Sequence, residues 1–291
     1  SKSKFCKFKG VKGCYVVRKQ TIESIKKIGQ ILMQWQNDEH GRNEKKLAEN
    51  KKLLSIYFTA GYPDLNDTVK IIQDLEKSGV DMIEIGLPFS DPLADGPTIQ
   101  ETSFKALNNG VNLASSMEAV LELRSVDDKT PMIFMGYYNP FFKYGIEFFL
   151  TDASRIGIDG LIIPDLPTEE SIVLSQQCEE VGLHLIPLLA PTSTEQRIEA
   201  ACATAGGFIY CVSLTGVTGA RRSLSTGVKE LVGKIRKYTE LPILVGFGVS
   251  KRRDVVQIGK FADGAVVGSA LLDVIIESEE ESQEEKAHTH D

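Results

Sequence analysis

Residues 81–100 read DMIEIGLPFSDPLADGPTIQ, and this segment decides how the chain folds. Its apolar start, residues 82–87, is typical of a parallel strand that is covered on both faces. Glu84 interrupts the apolar run, and an ionised carboxylate is costly to bury without a partner. The next loop holds three prolines, which restrict its shape, and two more acids, Asp91 and Asp95. Acids at these positions favour proton transfer to a substrate. The alternative is a Glu84 paired with a buried base, beside aspartates that only form turns.

Short apolar runs and amphipathic helices alternate on both sides of this segment. The predicted strands are 53–60, 81–87, 131–137, 160–164, 184–190, 208–213, 242–247 and 264–268. Helical spacing lies between them, for example at 66–78, 169–181 and 226–238. Eight strand–helix units predict an α/β fold, a parallel eight-stranded (β/α)8 TIM barrel. An open doubly wound sheet is the alternative, but TAGYP at 59–63 is not its glycine-rich fingerprint.

Composition limits the class of protein. The chain has 291 residues, of which 42% are hydrophobic and 25% are charged, as in an ordinary globular protein. No apolar run approaches the ~20 residues of a membrane span. Five cysteines without a C-x-x-C pair argue against a disulfide framework or a zinc site, and we expect a cytoplasmic location. A net charge of −7 argues against nucleic acid as a partner.

The two ends of the chain differ from the middle. Residues 1–20 hold seven Lys or Arg and no acid, whereas residues 277–285 hold six Glu. We therefore predict a basic N-terminal extension at 1–42, a catalytic barrel domain at 43–276 and a disordered acidic tail at 277–291. Within the extension, residues 21–36 have helical spacing.

The loops after the strands should build the active site, because barrel enzymes use this face. Gly248, Gly268 and Ser269 follow the seventh and eighth strands, where barrels often bind phosphate through backbone N–H groups. Residues 214–222 carry glycines that suit a mobile lid, the alternative being an ordinary surface loop. Aromatic side chains near the mouth favour a flat apolar ligand, although each could instead be core: Tyr57, Phe58, Tyr137, Tyr210 and Phe247.

Five motifs together resemble the tryptophan synthase alpha subunit family. They are FTAGYPD at 58–64, EIGLPFSDPLADGPTIQ at 84–100, GVTGAR at 216–221, GFGVS at 246–250 and VGSA at 267–270. The resemblance covers about residues 43–276. It implies a lyase of tryptophan biosynthesis that cleaves indole-3-glycerol phosphate to indole and glyceraldehyde 3-phosphate by a retro-aldol reaction.

The resemblance also implies roles for individual residues. Glu84 matches the catalytic acid–base, which protonates the indole carbon that carries the glycerol chain and then helps to remove the hydroxyl proton. Asp95 matches the second catalytic acid, which accepts a hydrogen bond from the indole N–H. The implied substrate-binding residues are Tyr57, Met135, Tyr137, Tyr210, Thr218 and Phe247. The implied phosphate-binding residues are Gly219, Gly248, Gly268 and Ser269.

The resemblance implies that this chain needs no cofactor for its half-reaction, and its residues predict no metal site. It also implies a partner, a beta subunit with pyridoxal phosphate, in an αββα tetramer. The resemblance implies that residues near Asp91 and Asn139 face that partner. Two alternatives stay open: a non-catalytic alpha-like subunit that only activates a beta subunit, and another phosphate-binding barrel enzyme of aromatic amino acid biosynthesis. The chain departs from the family at Leu214. We also expect the last barrel helix to be missing after residue 276, with residues 21–36 covering the gap.

Overall fold

The computed structural model describes residues 52–127, 129–212, 221–246 and 248–288, and a parallel sheet forms its centre. The strands are β1 Leu53–Thr59, β2 Met82–Gly86, β3 Met132–Met135, β4 Gly160–Ile162, β5 His184–Leu185, β6 Leu188–Leu189, β7 Ile209–Val212, β8 Ile243–Gly246 and β9 Gly264–Val267. Their order is β5-β4-β3-β2-β1-β9-β8-β7-β6, and every pair is parallel.

The two outermost strands, β5 and β6, are the halves of one predicted strand. Pro187 lies between them and has no N–H to give to a ladder, so the strand is interrupted there. Hydrogen bonds nevertheless continue on both sides of the interruption. Ile186 N donates to Leu161 O at 2.9 Å, and Tyr210 N donates to Pro187 O at 3.1 Å. The sheet is therefore closed through this interrupted strand, and the predicted (β/α)8 barrel is confirmed.

Helices surround the barrel on its outer side. They are α1 Thr68–Lys77, α2 Pro97–Asn108, α3 Leu113–Arg124, α4 Tyr138–Tyr144, α5 Ile146–Ile156, α6 Ile172–Glu180, α7 Glu195–Thr204, α8 Arg221–Ile235, α9 Arg252–Ile258 and α10 Ser269–His288. Two short 3-10 helices, Leu65–Asp67 and Thr168–Glu170, precede α1 and α6. Within the described part of the chain, none of the helices is long and apolar enough to cross a membrane.

Three aspartates hold neighbouring strands together at the amino-terminal end of the barrel. Each directly precedes a strand, and its carboxylate accepts a hydrogen bond from a backbone N–H near the start of the previous strand. The bonds run from Leu54 N to Asp81 at 2.9 Å, from Met132 N to Asp159 at 2.8 Å and from Ile243 N to Asp263 at 2.8 Å. Bonds between charged and neutral groups are the stronger kind, so we expect these contacts to stabilise the barrel.

The last helix corrects one prediction. α10 does not stop at Ile276 but continues through the acidic segment to His288, so the last helix, which was expected to be missing, is present. Leu271, Ile275 and Ser278 are buried at helical spacing, and the helix packs on β1 and α2. Glutamate is a good helix former, which is why an acidic segment can extend a helix that packing has started. Residues 1–51, with the extension and the predicted helix at 21–36, lie outside the described residues.

Candidate active site

Glu84 lies on β2 inside the barrel and is fully buried. Its Oε1 accepts a hydrogen bond from the Ser55 hydroxyl on β1 at 2.7 Å. Its Oε2 is buried and has no hydrogen-bond partner among the described residues. Burial raises the pKa of this carboxyl to about 7, while the bond from Ser55 acts in the opposite direction. A carboxyl with such a pKa can both donate and accept a proton near neutral pH.

Two tyrosines point into the barrel, Tyr57 from β1, which pairs with the strand of Glu84, and Tyr210 from β7. The hydroxyl of Tyr57 occupies the space beside Gly86, and the hydroxyl of Tyr210 occupies the space beside Gly246. A Cβ at either glycine would overlap the hydroxyl, so the missing side chains make room for the two rings. Burial raises the pKa of both tyrosines, and the charges of Glu84 and Asp95 add to this effect at each. The two tyrosines and the two carboxyls therefore share one electrostatic environment.

Asp95 follows β2 in the proline-containing loop, and Tyr137 holds it in place. The Tyr137 hydroxyl donates to Asp95 Oδ2 at 2.9 Å and accepts from Ala94 N at 2.9 Å. The ring of Phe89 stacks on Tyr137 with a centroid distance of 5.2 Å. Burial raises the pKa of Asp95 to about 6, although the hydrogen bond from Tyr137 acts to lower it. The aspartate side chain is thus fixed at the mouth of the barrel.

The other predicted residues lie around this pair of carboxyls. Met135 ends β3, and its backbone pairs with Gly86. Gly268 approaches Tyr57 closely, since a Cβ there would lie 3.2 Å from the tyrosine Cβ. Gly248 has a φ of +71°, which suits glycine, and Ser269 is exposed at the start of α10. The free N–H groups of that first turn can bind an anion.

Four predicted positions cannot be placed in this arrangement: Leu214, Thr218, Gly219 and Phe247 lie outside the described residues. The lid predicted at 214–222 falls there as well, apart from the first two residues of α8. Phe58 is fully buried on β1 and alternates with Tyr57, so it points to the helices rather than to the site. Among the described residues, there is no group of three or more His, Cys, Asp or Glu side chains that could hold a metal ion.

Two site residues were missed by sequence reasoning. Ser55 lies two positions before Tyr57, so strand alternation places both on the same face of β1. That spacing was a usable signal, because a serine in an apolar strand indicates a buried partner. Phe89 carries no such signal, since its contact with Tyr137 depends on how the loop folds back.

The site thus combines a fully buried carboxyl on a strand, a half-buried carboxyl on the loop that follows it, and three tyrosines, of which Tyr137 bonds to the loop carboxyl. Aromatic walls suit a flat ring, and the start of α10 suits an anionic group at the other end of the same molecule. Such a site can transfer protons at two points of one substrate.

Comparisons with known proteins agree on one family. A family model described as the tryptophan synthase alpha chain matches residues 44–291. The tryptophan synthase alpha chain of Thermoanaerobacter sp. (strain X514) is 46% identical over 236 residues, which are 81% of this chain and 89% of the relative.

Solved structures give the same result. The tryptophan synthase subunit alpha of Legionella pneumophila str. Paris has a TM-score of 0.76 and 35% identity, with coverage of 90% of this chain and 91% of the other. A structure of the tryptophan synthase α2β2 complex from Pyrococcus furiosus has a TM-score of 0.72 and 39% identity, with coverage of 78% of this chain and 90% of the other.

Proposed function

The chain belongs to the tryptophan synthase alpha chain family, and we propose that Glu84 and Asp95 carry out the family's reaction in it. That reaction is the cleavage of indole-3-glycerol phosphate to indole and glyceraldehyde 3-phosphate, a carbon–carbon lyase step of tryptophan biosynthesis. One observation carries the assignment of roles: Glu84 is fully buried inside the barrel with Oε2 unpaired among the described residues, and Asp95, in the loop after the same strand, is held by the Tyr137 hydroxyl at 2.9 Å.

Glu84 acts as the acid and then as the base. In its protonated form it gives a proton to the indole carbon that bears the glycerol chain, and the ring becomes a cation. The resulting carboxylate then takes the proton of the adjacent chain hydroxyl as the carbon–carbon bond breaks. The bonding electrons return to the ring, indole leaves, and Glu84 is protonated again. A pKa of about 7 makes both steps accessible at neutral pH.

Asp95 stabilises the cation. Its carboxylate accepts a hydrogen bond from the indole N–H, where positive charge develops after protonation of the ring carbon. The bond from Tyr137 keeps Oδ2 in position and favours the ionised form. Glu84 must start protonated and Asp95 ionised, and the complete burial of Glu84 favours its neutral form while the bond from Tyr137 favours the ionised form of Asp95.

The phosphate of the substrate is assigned to the first turn of α10, with Gly248 and Gly268 leaving the backbone accessible. This part of the assignment rests on the exposed Ser269 and on the N–H groups at the helix start. The chain's own side chains supply the acid and the base, and the reaction so written uses no cofactor in this chain. The partner is the beta subunit, with which the chain forms the αββα tetramer, and pyridoxal phosphate is assigned to that subunit.

The test is the release of indole from indole-3-glycerol phosphate by the purified chain, with and without a beta subunit. We expect slow release by the chain alone and faster release with the partner. Glu84→Gln and Asp95→Asn should each reduce release at least a hundredfold, because each removes a proton-transfer or charge-stabilising group. The exposed Glu118→Gln is the matched control and should behave as wild type.

Two outcomes would overturn these roles. Wild-type turnover by Glu84→Gln or Asp95→Asn would remove that residue from the mechanism. A folded wild-type chain that activates a beta subunit but releases no indole would instead be a non-catalytic alpha-like subunit.

A further inference from the structure

Among the described residues, Ser55 is the one whose side chain donates a hydrogen bond to the carboxyl of Glu84. Its hydroxyl and Glu84 Oε1 are 2.7 Å apart, and both residues are fully buried. A buried hydroxyl in an apolar strand is unfavourable unless it is hydrogen-bonded, and alanine would occupy the same place without that requirement. The contact therefore calls for a functional explanation.

The direction of the bond fixes where the carboxyl points. In the sheet, Glu84 is the neighbour of Tyr57, whereas Ser55 is the neighbour of Met82. Ser55 thus lies two residues closer to the amino-terminal end, roughly 7 Å along a strand that rises about 3.3 Å per residue. The Tyr57 hydroxyl lies on the opposite side, next to Gly86. The bond to Ser55 therefore turns the carboxyl towards the amino-terminal end of the barrel, away from the Tyr57 hydroxyl.

The same bond distinguishes the two oxygens of Glu84. Oε1 accepts from Ser55, so it is the oxygen that stays hydrogen-bonded, while the charge of the ionised group is shared by both oxygens. Oε2 has no partner among the described residues and is the oxygen left to hold a proton. A neutral carboxyl with its proton on Oε2 leaves the Ser55 bond intact, so one contact serves both protonation states.

We propose that Ser55 is a positioning residue for Glu84, which holds Oε1 below the tyrosines and leaves Oε2 as the oxygen that delivers the proton to substrate. This inference rests on the role proposed for Glu84. Ser55 does not touch substrate in this arrangement; it acts through the carboxyl. It also stabilises the ionised form, because a hydroxyl that donates to a carboxylate favours the charge.

The test compares Ser55→Ala with wild type in the pH dependence of indole release. Without the donor, the carboxyl is buried with no bond, so its pKa rises above about 7. Because the reaction begins with protonated Glu84, the alkaline limb of the profile should move to higher pH by about one unit, which is a typical effect of one such bond. Ser55→Thr keeps the hydroxyl and should restore the wild-type limb.

A matched control separates this role from a loss of packing. Ser116 is also buried, but its hydroxyl donates to Asn112 O on the outer face of the barrel at 3.0 Å. Ser116→Ala should leave the alkaline limb in place. If Ser55→Ala does not fold, Ser55→Cys offers a similar shape with a weaker donor. The alkaline limb of its pH profile should lie between that of wild type and the position expected when the hydrogen bond is lost completely.

A second measurement keeps this proposal distinct from the proposed function. The carbonyl stretch of protonated Glu84, isolated as the infrared difference between each chain and its Glu84→Gln counterpart, reports the titration without any turnover. A shift of this titration in Ser55→Ala supports the positioning role even if no chain releases indole. An unmoved titration, with release lowered by the same factor at every pH, would show that Ser55 only fills space and would overturn the proposal.

Discussion

Replacing Glu84 with glutamine should stabilise the protein at alkaline pH. Burial raises the pKa of this carboxyl from its ordinary value near 4.5 to about 7. Between these values the folded chain binds more protons than the unfolded chain, so the free energy of unfolding falls as pH rises through this window. The destabilisation caused by burying ionised Glu84 is absent below pH 4.5 and complete above pH 7, where it lowers the free energy of unfolding by about 3 kcal/mol. Glutamine resembles the protonated acid and has no charge to bury.

The assay is equilibrium unfolding in urea of wild type and Glu84→Gln at pH 5 and pH 8. We expect the variant to be more stable than wild type by about 3 kcal/mol at pH 8 and by less than about 1 kcal/mol at pH 5. The exposed Glu118→Gln controls for the change in net charge and should show no comparable gain. An advantage of equal size at both pH values would refute the reasoning, because it would not arise from the ionisation of Glu84.

Three further predictions concern the site and the barrel. Gly86→Ala should lower stability by about 2 kcal/mol in urea unfolding and indole release at least tenfold, because the new Cβ overlaps the Tyr57 hydroxyl; unchanged kinetics would mean that the ring can move freely. Tyr137→Phe removes the bond that lowers the pKa of Asp95, so the acid limb of indole release should move upward by about one unit, and a fixed limb would contradict the role of that bond. Asp263→Ala removes the acceptor of Ile243 N and should lower the free energy of unfolding by about 2 kcal/mol without moving either limb.

The fold was predictable because its signal is local. Each strand appears as a short apolar run and each helix as a stripe at helical spacing, and both depend only on neighbours along the chain. The interruption at Pro187 was not predicted, since the run at 184–190 looks like one strand. In the barrel, each half of that strand pairs with a different neighbour. For the acidic segment, the sequence predicted no helix where the structure has one. The many glutamates masked the helical spacing of buried positions that continues from Leu271 to Ser278.

The sequence by itself determined the parallel barrel and the presence of a carboxylate in its second strand. An apolar run broken by a single Glu84 is unusual enough to mark a functional group without any knowledge of its neighbours. Only the tertiary structure decided which groups control that carboxylate. Ser55 is 29 residues away along the chain, yet its hydroxyl lies 2.7 Å from Glu84 Oε1. Tyr210 lies on β7, yet the charge of Glu84 contributes to raising its pKa. The physical reason is that the pKa of a buried acid depends on burial and on hydrogen bonds across strands, which exist only after the barrel has closed.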